Sequence, residues 1–238
     1  MQSIILYPYA KIKNMHNEVL EKFIQDKGVF YIYEIGLQIY GLFPNTEDRD
    51  FIVICDNDYV PEGFVLENGD LCSTVINEFG TYNFKYYTMS KWFKLILQGS
   101  ILAWECACLS KKFIHKEHVK LLMETNPLQL RKNHEESYPT LLIKGVDNIH
   151  SGNIITGQQD FWKVVKNVMF ANQIIENHKI VNYKEPAEAY RLIVNGRETN
   201  ELDIMQTYLQ ELSAPLERFK QYTDTIYRNS KLKPIVQN

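Results

Sequence analysis

The segment Gly36-Leu37-Gln38-Ile39-Tyr40-Gly41, followed by Asp48-Arg49-Asp50, decides the interpretation of this 238-residue chain. Alternate residues of a strand project to the same face, so Asp48 and Asp50 are expected to lie side by side. Two carboxylates that close repel each other unless a cation neutralises them. Proteins hold Mg²⁺ with one or two carboxylates together with substrate phosphates. The pattern therefore predicts a site for a divalent cation.

The flanking segments predict a strand, a glycine turn, a short helix and a second strand. Val29–Ile35 is rich in β-branched and aromatic residues and ends at Gly36, which is typical of a buried strand entering a turn. Asp50–Cys55 is a second apolar run that opens on a carboxylate. A second interpretation stays open, in which the Asp-x-Asp binds no metal. Such a motif at a strand edge is often only part of a solvated loop.

A glycine turn, then Tyr-Gly, then Asp-x-Asp on the next strand resembles the signature of the DNA polymerase β-like nucleotidyltransferases. The similarity is to a bacterial and phage branch of predicted nucleotidyltransferases. The residues that fall on the signature are Gly36, Tyr40, Gly41, Asp48 and Asp50. Similarity continues through residues 85–95, at Gly99-Ser100 and Trp104-Glu105, and from Lys166 to Tyr183.

The resemblance implies a function and a set of site residues. Asp48 and Asp50 would hold Mg²⁺ or Mn²⁺ and, through it, a nucleoside triphosphate. The implied nucleotide-binding residues are Gly36, Leu37, Tyr40 and Gly41. In such enzymes one ion activates the attacking hydroxyl and another bridges the phosphate oxygens. The implied reaction transfers a nucleotidyl group to a hydroxyl on RNA or protein.

The sequence departs from the family pattern at three places. Leu37 stands where a serine that helps to hold the nucleotide phosphates is expected, and Asn83 stands at the third-carboxylate position. Basic or histidine positions of a later helix fall on Phe170 and Gln173. Because the third carboxylate mostly serves the hydroxyl-activating ion, its loss is expected to spare nucleotide binding more than turnover. Two carboxylates near the predicted neighbouring strands are candidate replacements: Asp70 and Glu78.

Three functional classes stay open. The first is an active metal-dependent nucleotidyltransferase. The second is a catalytically impaired protein of the same fold that binds a nucleotide or contacts a protein partner, and Leu37 and Asn83 favour it. The third is an antitoxin-like nucleotidyltransferase that acts on a cognate toxin.

The remaining pattern predicts an α+β fold, in which a nucleotidyltransferase-type mixed sheet of about five strands with flanking helices precedes a C-terminal helical domain. The predicted domains are residues 1–98, residues 99–228 and a loose tail at 229–238. Asn68-Gly69 between short apolar runs predicts a hairpin. The predicted helices are Asn14–Asp26, Ser90–Gln98, Gln158–Asn177 and Glu201–Tyr227. Ser90 is the predicted cap of the second helix, and Gly99 is expected to end it. Pro215 is expected to break or kink the last helix near Ala214.

The composition indicates a cytoplasmic protein, and we expect no membrane partner. The formal net charge is −3 and the pI about 6.1, so no global basic field attracts nucleic acid. No 18-residue apolar run and no signal-peptide pattern occurs. The spacing of the four cysteines does not match a zinc site, and we expect reduced, buried thiols at Cys55, Cys72, Cys106 and Cys108.

Three further groups of residues have two interpretations each. A basic set is either a groove for a phosphate-bearing partner or a solvated face: Lys111, Lys112, Lys116, Lys120, Arg131 and Lys132. A group of tyrosines either stacks a nucleobase or reflects strand propensity: Tyr31, Tyr33, Tyr40, Tyr82, Tyr86 and Tyr87. His115 and His118 have the spacing of one helix face and are expected to be solvated, because no second ligand pair follows them.

Overall fold

The computed structural model describes residues 20–43, 48–61, 65–67, 70–77, 80–121, 123–196 and 200–232. The chain divides into two compact units, and neither is a continuous stretch. The first, which we call the sheet unit, comprises Met1–Ile39, Phe43–Lys94 and Leu109–Leu121. The second, the helical unit, comprises Tyr40–Leu42, Leu95–Cys108 and Leu122–Asn238.

Within the described residues the sheet has six strands in the order β3-β4-β5-β2-β1-β6. β2 and β5 are parallel and all other neighbours are antiparallel. The strands are β1 Val29–Ile35, β2 Arg49–Cys55, β3 Val65–Glu67, β4 Asp70–Asn77, β5 Gly80–Thr88 and β6 Ile114–Glu117. The predicted α+β class, with a mixed sheet, flanking helices and a C-terminal helical region, is confirmed. So is the pairing of β3 with β4 on either side of residues 68–69.

The strand β6 corrects the interpretation of the histidine pair. Ile114–Glu117 pairs with β1 at the sheet edge, and the His118 backbone N–H donates to the Phe30 carbonyl at 3.1 Å. His115 is half-buried and binds Glu34, so the expectation that it is a solvated helix residue is wrong. A four-residue strand is too short for its periodicity to distinguish it from one turn of helix.

Both faces of the sheet are covered by aromatic packing. On one face, beside the helical residues 20–25, the Phe84 ring lies 5.0 Å from Phe23 and 4.9 Å from Phe51. On the other face, Trp92 of helix α1, Met89–Leu97, packs against Tyr33 and Tyr87. The part of the predicted Asn14–Asp26 helix before residue 20 lies outside the described residues.

The ends of α1 are set by its neighbours in sequence. The Lys91 backbone N–H donates to the Thr88 hydroxyl at 3.2 Å, so Thr88 is the cap and the predicted cap at Ser90 is wrong. The Ser90 N–H donates instead to the Asn57 side chain at 2.8 Å. Gly99, with φ of +67°, ends the helix as predicted, because L side chains rarely adopt this conformation.

The helical unit is built around one long central helix. Its described helices after α1 are α2 Ile101–Cys108, α3 Pro127–His150, α4 Ile154–Asn177, α5 Pro186–Ile193 and α6 Glu201–Leu232. α4, which contains the predicted Gln158–Asn177 helix, is buried along most of its length and packs against α3, α5 and α6. None of the described helices has both the length and the hydropathy needed to cross a bilayer.

Helix α6 continues through Pro215, so of the predicted break or kink the break is wrong. The Pro215 carbonyl accepts a hydrogen bond from the Asn172 side chain of α4 at 2.9 Å. Leu212 and Phe219, on either side of the proline, are buried. An interior proline costs a helix about 3 kcal/mol, and packing on both sides of Pro215 offsets that cost.

The cysteines are free, as predicted. Cys55 and Cys106 are buried, whereas Cys72 and Cys108 are only partly so. Burial raises the pKa of the Cys55 thiol to about 12, which keeps it protonated and unreactive at neutral pH.

Candidate metal and nucleotide site

The structure brings Asp48, Asp50 and Asn83 together near the N-terminal ends of the two central strands, β2 and β5. Asp48 immediately precedes β2, and Asp50 is the second residue of that strand. Asn83 lies directly opposite Asp50 on the parallel neighbour β5. The Thr81 backbone N–H donates to Asp48 Oδ1 at 3.0 Å, which ties the chain entering β2 to the same neighbouring strand.

The orientation of the Asn83 amide follows from its two hydrogen bonds. The Thr74 hydroxyl donates to Asn83 Oδ1 at 3.1 Å, so the amide nitrogen is the atom directed at Asp50. Asn83 Nδ2 donates to Asp50 Oδ1 at 3.0 Å. The family pattern expects a third negative charge here, and this chain instead presents a neutral hydrogen-bond donor to an existing carboxylate.

Asp50 carries a charge that the surrounding described residues do not balance. Partial desolvation and the nearby Asp48 charge raise the pKa of Asp50, and the Asn83 hydrogen bond opposes that increase. Among the described residues, no cationic side chain forms an ion pair with Asp50. Asp48 and Asp50 are both exposed, so a cation can reach them from solvent and would screen the two charges more strongly than water does.

Arg49, between the two aspartates, projects to the opposite face of the sheet. Its Nη1 lies 2.5 Å from Oε1 of Glu34 on β1, and His115 Nε2 on β6 lies 2.9 Å from Glu34 Oε2. Burial raises the pKa of Glu34, which is 6% exposed, but His115 and Arg49 together outweigh burial and the pKa is lowered. This network joins three strands and fixes the start of β2, which carries Asp50.

The turn after β1 brings bare backbone next to the Asp50 carboxylate. Gly36 has φ of +107°, and a Cβ placed on it would lie 3.1 Å from Asp50 Oδ2 and 2.9 Å from Gln38 Oε1. Gln38 Nε2 donates to the Ile35 carbonyl at 2.7 Å and thereby closes the turn. Leu37, half-buried at the start of the short 3-10 helix Leu37–Tyr40, offers no hydroxyl to a phosphate.

Tyr40 belongs to the core of the helical unit, with 5% of its surface exposed. Its hydroxyl donates to the Glu105 carboxylate. Lys166 Nζ lies 2.8 and 3.0 Å from the two Glu105 oxygens and 3.2 Å from the Tyr40 hydroxyl. Burial and the Glu105 charge raise the pKa of Tyr40 well above its usual range. The ring is therefore not accessible to stack a base, whereas Gly41 beside it is exposed, with φ of +76°.

The other aromatic and polar residues predicted for the site are buried or hydrogen-bonded within the fold. All six tyrosines singled out in the sequence are buried, which favours the strand and core interpretation over base stacking. Phe170 is fully buried beside Tyr40 and Tyr183. Gln173 Oε1 accepts the backbone N–H groups of Val181 and Asn182 at 2.8 and 2.9 Å and so positions that loop.

No replacement for the third carboxylate is found among the described residues. Asp70 begins β4 four residues before Thr74, the residue opposite Asn83. At the usual rise of a strand its backbone is therefore about 13 Å from that position. Glu78 lies outside the described residues. Within the part of the chain that the structure describes, no three His, Cys, Asp or Glu residues cluster closely enough to hold a metal ion.

The basic set is divided between the two units. Lys111, Lys112, Lys116 and Lys120 belong to the sheet unit, whereas Arg131 and Lys132 belong to the helical unit. Lys116 Nζ donates to the Asp26 carbonyl at 2.6 Å, and Arg131 pairs with Glu135 and Asp224. These contacts favour the interpretation as ordinary surface charge.

No family model and no curated protein matches the chain. Among solved structures, the chain is similar to a nucleotidyltransferase-like protein from Exiguobacterium sibiricum 255-15, with 11% sequence identity and a TM-score of 0.31. The match covers 92% of this chain and 80% of that chain. A likeness of this size identifies no function, so the function has to be inferred from the geometry of the site.

Proposed function

We propose that this chain is a nucleotidyltransferase-like protein that binds a nucleoside triphosphate together with Mg²⁺ or Mn²⁺ through Asp48 and Asp50. The observation that supports it best is the adjacent pair of carboxylates beside the Gly36 turn, with no cationic partner for Asp50 among the described residues. The proposed reaction transfers a nucleotidyl group to a hydroxyl on RNA or protein, in the cytoplasm.

The residues present suit one bound ion better than two. When bound, that ion would neutralise phosphate charge and stabilise the leaving group. Asp48 and Asp50 supply its protein ligands, and Gly36 brings backbone without a side chain next to Asp50, at a position that is also close to the Gln38 amide. Asn83 carries no charge, so it neither holds a second ion strongly nor accepts a proton from an attacking hydroxyl. We therefore expect binding to be stronger than turnover.

The neutral Asn83 side chain also favours a second candidate, a protein that binds the nucleotide without turning it over. Calorimetry with Mn²⁺ and each nucleoside triphosphate, run beside radiolabel transfer to mixed RNA and protein acceptors, separates the two functions. Binding with label transfer that Asp48→Ala abolishes supports the enzyme. Binding without transfer in either protein supports the binder, and no binding with or without metal rejects both.

Asn83→Asp is expected to increase the affinity for Mn²⁺ by on the order of tenfold and to increase label transfer. The substitution places a third carboxylate opposite Asp50, where the Thr74 hydroxyl can still donate to it. Calorimetry and the transfer assay measure the two effects. Asn57→Asp, which adds the same charge just beyond the other end of β2, is the matched control and should change neither. Equal behaviour of the two variants would show that Asn83 does not occupy a metal-facing position.

Asp50→Asn is expected to raise the free energy of unfolding at pH 7 by a small amount, because Asp50 is exposed and water screens much of the effect. A raised pKa means that the native state binds the Asp50 proton more tightly than the unfolded chain does. Wild type therefore loses stability as the pH rises from about 3.9 through the raised pKa, and the variant does not. Urea unfolding at several pH values should show the difference growing with pH, and Mg²⁺ should reduce it by stabilising only wild type. Asp58→Asn, in the exposed turn after β2, is the control, and a variant less stable than wild type at pH 7 would contradict the prediction.

A further inference from the structure

A cavity of about 300 Å³ lies between α3 and α6 in the helical unit. Each helix contributes four lining residues at positions i, i+3, i+4 and i+7, so the cavity is bounded by one face of each helix. The cavity is open to solvent on one side, since its lining includes the exposed side chains of Glu135 and Lys220. Pockets that bind small molecules begin at about this volume. The cavity therefore has the dimensions of a binding site for a compact ligand.

Three of the eight residues that line the cavity carry aromatic rings. The His134 ring on α3 lies 5.3 Å from the Phe219 ring on α6, at 75° to it, and 5.4 Å from the Tyr138 ring. Phe219 is buried, and the buried Thr223 hydroxyl donates back to the Phe219 carbonyl at 3.0 Å. The Thr223 hydroxyl is therefore already hydrogen-bonded, and the cavity offers mainly ring surfaces at this end. Such a surface suits a flat apolar ring.

His134 supplies the polar group inside the cavity. Its ring forms no hydrogen bond to any other described residue, although it is in contact with Tyr138 and Phe219. Burial lowers the pKa of His134 to about 4, so at neutral pH the ring is uncharged and has one N–H donor and one nitrogen acceptor. It can orient a polar atom of a ligand without attracting a particular charge.

The charged side chains at the rim differ in whether they are already paired. Arg131 is bound to both Glu135, at 2.8 Å, and Asp224, so its charge is committed. Lys220 is exposed and forms no ion pair within the described parts of the chain, yet it is close enough to His134 to influence its titration. One uncommitted ammonium beside an acidic Glu135 favours a single negative charge over a dianion.

From these contacts we infer that the cavity between α3 and α6 binds a flat aromatic monocarboxylate of one or two rings. Its ring packs on the solvent-facing side of the cluster formed by His134, Tyr138 and Phe219, and its carboxylate meets the Lys220 ammonium. The helical unit alone provides this site, so the inference does not depend on the proposed nucleotide function.

Titration of the full chain with cinnamate and with its neutral analogue cinnamamide tests the inference. The chemical shifts of the His134 ring protons report binding. We expect cinnamate to shift them and to bind about tenfold more tightly than cinnamamide, because only the carboxylate pairs with Lys220. Lys220→Met should remove that tenfold preference and leave cinnamamide binding unchanged. Lys132→Met, an exposed residue of α3 outside the cavity lining, should leave both affinities unchanged.

His134→Trp fills the cavity and should abolish binding of both compounds, observed through the Tyr138 resonances while the thermal midpoint confirms folding. Three results would overturn the inference: no shift up to the solubility limit of cinnamate, equal affinities for the two compounds, or cinnamate binding that Lys220→Met does not weaken. The Lys220→Met comparison decides the question if the tryptophan variant does not fold.

Discussion

Replacement of Asp48 and Asp50 together by alanine is expected to lower the affinity for a Mn²⁺–nucleoside triphosphate complex by more than ~100-fold. Altering groups that only orient metal ligands already costs 10- to 100-fold, and this variant removes the ligands themselves. The Glu34 network holds the start of β2 from the opposite face, so the variant should keep the fold. Isothermal titration calorimetry with Mn²⁺ and a non-hydrolysable triphosphate gives the two affinities.

Two controls define what this loss means. Asp58→Ala removes an exposed carboxylate from the turn after β2 and should bind like wild type. Titration of the triphosphate without metal should show weak binding to every variant, because the proposed recognition passes through the ion. Tight binding by the double alanine variant would place the nucleotide elsewhere on the protein and would remove the basis of the proposed function.

Lys166→Met is expected to destabilise the protein by about 3–5 kcal/mol. The substitution removes the cation from a buried pair and leaves the Glu105 carboxylate, which is 3% exposed, with the Tyr40 hydroxyl as its remaining side-chain partner. An unpaired charge in such surroundings costs far more than a hydrogen bond contributes. Urea unfolding at pH 7, followed by circular dichroism, measures the loss.

The double variant Glu105→Leu, Lys166→Met should recover only part of that stability, because the buried Tyr40 hydroxyl then loses its Glu105 acceptor. Replacing both members of a buried pair with apolar residues of similar volume removes the desolvation cost along with the attraction. Lys144→Met, an exposed position on α3, should change stability by less than ~0.5 kcal/mol. A single variant as stable as the control, or a double variant no more stable than Lys166→Met, would show that the pair is not the source of the effect.

The strands that carry the site were predictable because their signals are local. Val29–Ile35 and Asp50–Cys55 are apolar runs bounded by glycine and polar residues, and alternation alone places Asp48 and Asp50 on one face. The same alternation places Arg49 on the other face, although nothing local identifies Glu34 as its partner. The pairing of Asn83 with Asp50 needs the register between β2 and β5, which are separated in sequence by two further strands.

The burial of Tyr40 could not be predicted from its neighbours. Its two polar partners, Glu105 and Lys166, lie 65 and 126 residues further along the chain. The available signal was the one charged residue of Ile101–Cys108, Glu105, and a lysine, Lys166, among the valines of α4. A charge in such surroundings is buried in proteins mainly when it is paired. The continuation of α6 through Pro215 has the same origin, because packing against α4 outweighs a local preference.

A structure of the protein soaked with Mn²⁺ and a non-hydrolysable nucleoside triphosphate, with anomalous scattering recorded for manganese, tests the central claim most directly. The account predicts a manganese peak bound by carboxylate oxygens of both Asp48 and Asp50, at about 2.0–2.4 Å, with phosphate oxygens beside Gly36. A manganese ion bound elsewhere, or a nucleotide bound away from these aspartates, would contradict it.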